Sequence, residues 1–178
     1  MNFQKAEKKH IDEIMKIYED AVLYMRANGN HVQWKNGYPG RELVLSDIER
    51  ERFFIYTDGE KIGAVFCLDY DGDPLYETIT GGKWLNNEPY VIVRRIAVSP
   101  EMHHRGISSE CFDFTLRDAR KRKVFDIRLI THEDNTAMLK AMGKFGFKYC
   151  GLIDLKDGHP RRAYQFSTGY CHLCSLVY

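Results

Sequence analysis

The chain has no surplus of either charge: Lys and Arg total 26 and Asp and Glu total 25 in 178 residues. So even a balance creates no global field to gather nucleic acid or an anionic membrane surface. Long apolar runs are also missing, and none approaches the length of a membrane span. The opening residues, Met1-Asn-Phe-Gln-Lys-Ala-Glu7, lack the apolar segment of a signal peptide. There is no internal repeat, linker or low-complexity stretch. Cysteines are few and odd in number, at five, and Cys67, Cys111 and Cys150 sit inside apolar stretches. They read as buried free thiols, not as a disulfide framework. The expectation is a cytoplasmic protein with neither nucleic acid nor membrane as partner. With 44% hydrophobic and 29% charged residues the chain supports one substantial core and is short for two.

What is present is organised around Val91–Ser109. Val91 to Val98 is a β-branched run that predicts a buried strand. Ser99-Pro100 ends it, because proline offers no N–H to a ladder. A short polar loop leads to Gly106, and Ile107, Cys111, Phe112, Thr115 and Leu116 then recur at helical spacing. Such a strand, glycine loop and helix start can aim several backbone N–H groups at one point beside the positive end of a helix dipole, an anion site suited to phosphate. An ordinary strand-to-helix turn fits the same residues.

Taken in order, residues 2–6 predict a short opening strand. Ile11, Ile14, Ile17, Tyr18, Ala21, Val22 and Met25 trace one face of a helix ending near Asn28-Gly29. A loop with Trp34 and Tyr38 follows. Ser46 and Asp47 are candidate caps for a short second helix within 41–51, although Leu43 to Leu45 allow an earlier start. Asp58-Gly59 between Phe53–Thr57 and Lys61–Leu68 is a hairpin signal. Residues 69–89 form an irregular excursion with Trp84 as its anchor. A helix from about Gly106 to Lys123 ends in Arg120-Lys-Arg-Lys123, cations suited to a helix C-terminus rather than a nucleic-acid patch. A strand over 125–131, a helix capped by Asp134 or Asn135 and closed by Gly143 or Gly146, and a hairpin of Phe147–Leu155 with Arg162–Phe166 complete the chain. Residues 1–168 read as one domain and 169–178 as a tail.

This element order, with its glycine loop after the fourth strand, resembles the GCN5-related N-acetyltransferase (GNAT) superfamily over about residues 2–167. The family loop has the form Gln/Arg-x-x-Gly-x-Gly/Ala; here it is His103-His104-Arg105-Gly106-Ile107-Ser108, matching at the glycine and departing at both ends. Asn135, with Gly146-Phe147 eleven residues later, matches a second family motif. A closer similarity, to an uncharacterised bacterial subgroup, rests on Gln33-Trp34, Gly37-Tyr38-Pro39, Arg95-Ile-Ala-Val98, Thr131-His-Glu-Asp-Asn135, Cys150-Gly151 and Arg162-Ala-Tyr164. The resemblance implies an α/β (α+β) fold, a mixed sheet of six to seven strands with about four helices. It further implies acetyl-CoA as cosubstrate and no metal. On this basis Ile96, Ala97 and Val98 would pair along the pantetheine through backbone groups, His103, His104, Arg105, Gly106, Ile107, Ser108 and Ser109 would hold the pyrophosphate, and Asn135 would contact the pantetheine. An Asn at the last position equally serves as a helix N-cap.

Acetyl transfer needs a polarised thioester carbonyl, a neutral amine and a departing thiolate. The resemblance implies a backbone N–H near Val98 for the carbonyl. The family's usual acid stands seven residues after the Asn, where this chain has Met142. The base of its ribosomal-protein branch stands five residues before, where it has Ile130. Tyr164 or Tyr90 can offer a phenol to the thiolate instead, and His132 or Glu133 can accept the amine's proton. A turn role for His132 and a solvated one for Glu133 are the plainer alternatives. Trp34 and Tyr38 border the expected acceptor cleft, either as an aromatic wall or as a hydrophobic lid.

The expected function is therefore acetyl transfer from acetyl-CoA to a primary amine of a small molecule or a protein N-terminus, with a homodimer as a possible assembly. The alternative is a non-catalytic CoA-binding sensor or interaction protein, favoured by Met142 and Ile130. Cys171-His-Leu-Cys174 is half of a zinc site with no second half, and reads as a packing tail.

Overall fold

Successive residues of one strand enter opposite cores. In a computed structural model that describes residues 2–155 and 158–169, Phe53 and Ile55 face one hydrophobic cluster while Phe54 and Tyr56 face another. They belong to β2 (Phe53–Asp58), and the period-two alternation of a strand buried on both faces makes it a dividing wall. Its neighbours are β1 (Asn2–Lys5) and β3 (Lys61–Asp69), joined to it by the expected turn at Asp58-Gly59. The sheet continues through β4 (Tyr90–Val98), β5 (Asp126–Thr131), β6 (Lys148–Ile153) and β7 (Arg161–Ser167), in the order β1-β2-β3-β4-β5-β7-β6. Only β4 and β5 run parallel; all other neighbours are antiparallel.

Helix α1 (Ile11–Ala27) lays Ile11, Ile14, Ile17 and Tyr18 on one face of this sheet. Helix α2 (Arg41–Glu49) adds Val44 and Ile48 to the same cluster. The second helix corrects one expectation. It starts after Gly40, so Ser46 and Asp47 lie within it and cap nothing. Asp47 is instead fully buried. On the opposite face α3 (Ile107–Lys121) packs Cys111, Phe112 and Leu116, and α4 (Thr136–Phe145) packs Met142. Asn135 caps α4, its side-chain oxygen accepting from the Met138 N–H at 3.2 Å. Gly146, not Gly143, ends it, with a φ of 106° that suits glycine.

The excursion between β3 and β4 folds into a 3-10 turn (Pro74–Thr78) and a single bridge, Thr80 to Leu152, against the edge strand β6. Trp84 anchors it as expected: the indole stacks on Tyr76 at 5.7 Å and donates to the Tyr76 carbonyl at 2.7 Å. The Arg128 guanidinium lies against Trp84 and Tyr90, 4.3 and 3.7 Å from the ring centroids. Cys67, Cys111 and Cys150 are buried free thiols, and burial pushes Cys67 up to about 12.

Candidate active-site cleft

The β4–β5 ladder stops after three pairs, the last being Ile92 with Arg128. Beyond it Val93 to Ile96 and Leu129 to Thr131 line the two sides of a cleft of about 590 Å³. The local cause lies in β4. Its register against β3 shifts between Val65 and Cys67, and Arg95 in the bulge takes a φ of 51°. A bulge adds twist and bends its strand, and here it turns β4 away from β5. An unpaired strand edge is thereby exposed inside the fold, where an amide-bearing chain can bond to it.

Arg95 is held from several directions. The Tyr18 hydroxyl donates to its carbonyl at 2.8 Å, and its guanidinium pairs with Asp47 and donates to the Tyr38 hydroxyl at 3.4 Å. Burial opposes its charge, but the Tyr38 phenol, the Cys67 thiol and the Asp47 carboxylate outweigh that and hold its pKa above the ordinary value. The pairing continues through Arg52 to Asp47 at 2.7 Å, Arg52 to Asp69 at 3.7 Å, Arg94 to Asp69 at 2.9 Å and Arg94 to Asp73 at 2.8 Å. Three arginines thus alternate with three aspartates, with Arg94 and Arg95 on the cleft wall and the aspartates behind it. Partners far apart in the chain leave no local pattern, so only the structure reveals this array.

Residues 32–38 form the cleft's cover, and Gln33 clasps it to the far strand. The Gln33 side-chain oxygen accepts from Asn30 at 3.1 Å and from Asn135 at 3.2 Å, and lies 3.4 Å from the His132 N–H and 3.5 Å from the Thr131 hydroxyl. The Asn135 amide is partly used by this clasp and its cap, yet an Asn has two donor hydrogens and two acceptor lone pairs, so one of each remains. Trp34 and Tyr38 both line the cleft, with Trp34 edge-on to Tyr18 at 5.4 Å. Tyr76 lines it too, its phenol pushed well up by burial.

The proton-transfer candidates are distributed differently from the expectation. Tyr164 stands on β7 opposite Leu129, its ring 5.6 Å from Tyr149, and is not among the lining residues. His132 is buried and also outside the lining; its Nδ1 accepts from the Asp134 N–H at 3.2 Å, the turn arrangement. Burial lowers its pKa, with Asp134 opposing. Glu133 pairs with Arg162 at 3.0 Å, and Tyr90 is at the paired end of β4 under Arg128. Met142 is fully buried, whereas Ile130 borders the cleft. The histidine that does line it is His159, 6.0 Å from His132 between ring centroids. Its place in a turn between two hairpin strands gave no sequence signal.

At the other end of β4, the His103 Nε2 lies 3.1 Å from the Val98 carbonyl. His104, Arg105 and Gly106 are exposed, and Gly106 caps α3 with a φ of 79°, a left-handed conformation that glycine adopts without strain. The first intrahelical bonds come from the N–H groups of Ser109 and Glu110 to the Gly106 carbonyl. Those of Ile107 and Ser108 precede them and face outward from the helix start. Ile96 and Ala97 are buried, with Ile96 on the cleft wall. Cys171 and Cys174 lie outside the described residues. Among the described residues, no group of three or more His, Cys, Asp or Glu is placed to hold a metal, and no helix is long and apolar enough to cross a membrane.

Residues 12–147 match the sequence model of the Acetyltransferase (GNAT) family. Among solved structures, a GNAT-family acetyltransferase from Streptococcus agalactiae superposes with a TM-score of 0.86 at 27% identity, over 94% of this chain and 95% of that one. The PaiA N-acetyltransferase of Thermoplasma acidophilum, solved in complex with coenzyme A, gives 0.71 at 14% identity over 93% and 98%. YncA of Salmonella typhimurium, a putative acetyltransferase solved with acetyl-CoA, gives 0.67 at 12% over 95% and 94%. No curated protein matches the chain in sequence.

Proposed function

The chain belongs to the acetyltransferase (GNAT) family, and from that premise we propose that it moves an acetyl group from acetyl-CoA to a primary amine of a small molecule or peptide. The observation that carries the reading is the early end of the β4–β5 ladder, which leaves β4 from Val93 to Ile96 lining a cleft, on the same strand that leads into the loop before α3. The pantetheine arm carries amides of its own, so an unpaired strand edge fits it chemically. Ile96, Ala97 and Val98 provide that edge, and Asn135 provides one further donor and acceptor. The outward N–H groups of Ile107 and Ser108, with Gly106 and its neighbours His103, His104, Arg105 and Ser109, suit a pyrophosphate. Two proteins of the same fold were solved with coenzyme A and with acetyl-CoA, which supports a cosubstrate of this class.

When bound, the thioester supplies an activated acyl group. The protein holds the amine against it, which supplies much of the rate, and a backbone N–H near Val98 bonds the carbonyl oxygen as negative charge develops there. His159 accepts the amine's proton, since it is the histidine on the cleft wall. His132 acts behind it by fixing the turn that presents Asn135. Tyr38, an exposed cleft residue whose hydroxyl accepts from Arg95, protonates the leaving thiolate.

The test is release of free thiol from acetyl-CoA in the presence of a panel of primary amines, with mass spectrometry of the products. Acetylated amine appearing with enzyme supports the reading. Tight acetyl-CoA binding without transfer to any amine or peptide would favour the sensor alternative, whose structural support is the apolar pair Met142 and Ile130.

A further inference from the structure

The described residues lining the cleft include Lys35, Arg94, Arg95, Arg161 and His159 but no aspartate or glutamate. The carboxylates that pair with Arg94 and Arg95 stand behind the wall. Asp47 holds Arg95, and Asp69 and Asp73 hold Arg94, while none of the three lines the cleft. A molecule entering the cleft therefore meets the cationic faces of a fixed array. Arg94 and Arg95 are restrained by their aspartates, so this part of the wall is set before a ligand arrives, and Arg95 has only 6% of its side chain exposed. Lys35 stands on the cover with its side chain exposed and no ion pair among the described residues.

This wall discriminates among amines. A polycation would be placed among like charges with no facing carboxylate among the described residues, and a simple monoamine would gain nothing from the array. A zwitterion fits differently. Its anion meets the cations, and their field disfavours the protonated ammonium, which must lose its proton to attack. Trp34, Tyr38 and Tyr76 then offer apolar surface to the remainder of the molecule.

We infer that the acceptor is an amine that also carries an anionic group, carboxylate or phosphoryl, recognised by the cationic wall formed by Lys35, Arg94, Arg95 and Arg161. This rests on the transfer reading above and names its substrate class. The same chemistry has another possible source, the phosphates of the cosubstrate, and the experiment separates the two.

Protein saturated with CoA, which cannot react, is titrated calorimetrically with matched pairs: each common amino acid against its carboxamide, and 2-aminoethylphosphonate against ethanolamine. Wild type and Lys35→Glu are compared, and acetyl-CoA affinity is measured separately on both. The expected result is that at least one anion-bearing member binds roughly tenfold or more tightly than the partner that lacks the anion. That preference shrinks in Lys35→Glu while acetyl-CoA affinity is retained. Equal binding within every pair, or binding by no member, overturns the inference while acetyl-CoA binding leaves the transfer reading standing. A Lys35→Glu variant that loses acetyl-CoA affinity assigns the cations to the cosubstrate and likewise overturns it. Failure of wild type to bind acetyl-CoA is the separate result that removes the transfer reading and the inference together.

Discussion

Asp47 and Arg95 form an ion pair that ties the interior of α2 to the bulge of β4. Asp47 is fully buried and its other oxygen accepts from Arg52 at 2.7 Å, so one carboxylate compensates two guanidinium groups. The Arg95 Nε is itself buried without a hydrogen-bond partner. A buried charge array of this kind is costly to assemble and more costly to break, because removing one member leaves the others uncompensated.

Asp47→Asn is therefore expected to destabilise the protein by about 3–5 kcal/mol, a fall on the order of ten degrees in Tm. Arg95→Met on its own is expected to leave Asp47 with Arg52 alone and to cost less. The double variant should be more stable than the sum of the singles predicts. Urea denaturation of the four proteins measures the coupling; strict additivity would show that the pair does not act as a unit.

Gln33→Leu removes the oxygen shared by Asn30, Asn135, Thr131 and His132 and leaves buried donors unmet. Loss of about 1–3 kcal/mol is expected. Because the clasp holds the cleft's cover to β5, the apparent KM for the amine should rise more than kcat falls. Steady-state kinetics alongside denaturation separates this from simple loss of folded protein.

His159→Gln should lower kcat/KM near neutral pH by roughly 10²–10⁴-fold if the imidazole accepts the amine's proton. The deficit should narrow as pH rises towards the amine's own pKa, where bulk solvent deprotonates the nucleophile. A pH–rate profile checks both features, and a deficit that is constant with pH would make His159 a binding group instead.

His132 gives a pH dependence of stability. Burial lowers its folded pKa below 6.5, so in the window between folded and unfolded values the unfolded chain binds more protons. Its contribution is complete above the unfolded pKa and is lost as pH falls through the folded one. Melting temperature should therefore fall as pH drops below about 6.5, and His132→Gln should flatten that part of the curve. A melting series in matched buffers tests it, and an unchanged slope in the variant would assign the effect to other groups.

Much of this arrangement was legible in the chain, and the limits have physical causes. The hairpin at Asp58-Gly59, the buried run ending at Val98 and the glycine at 106 are local signals, since turn chemistry and side-chain period act over a few residues. Asn135 was legible as a cap for the same reason. Asp47 was misread as a cap because its partners, Arg52 excepted, come from β4, 48 residues away for Arg95. The clasp by Gln33 joins residues 102 positions apart. His159 lacked a helical or strand context that would have aimed it anywhere. The bulge at Arg95 was invisible because a β-branched run reads as a straight strand until its register with both neighbours is known.

The central claim is that the loop before α3 and the open edge of β4 bind acetyl-CoA, and its most direct test is thermal melting with and without that compound, in wild type and Gly106→Asp. Asp at 106 must adopt a φ of 79° and adds a carboxylate where phosphate would sit. A ligand that binds only the folded state must raise Tm as its concentration passes Kd. The account predicts a concentration-dependent rise in wild type that is lost in a variant still showing a cooperative transition. No rise in wild type at millimolar acetyl-CoA, or an equal rise in both proteins, would contradict it.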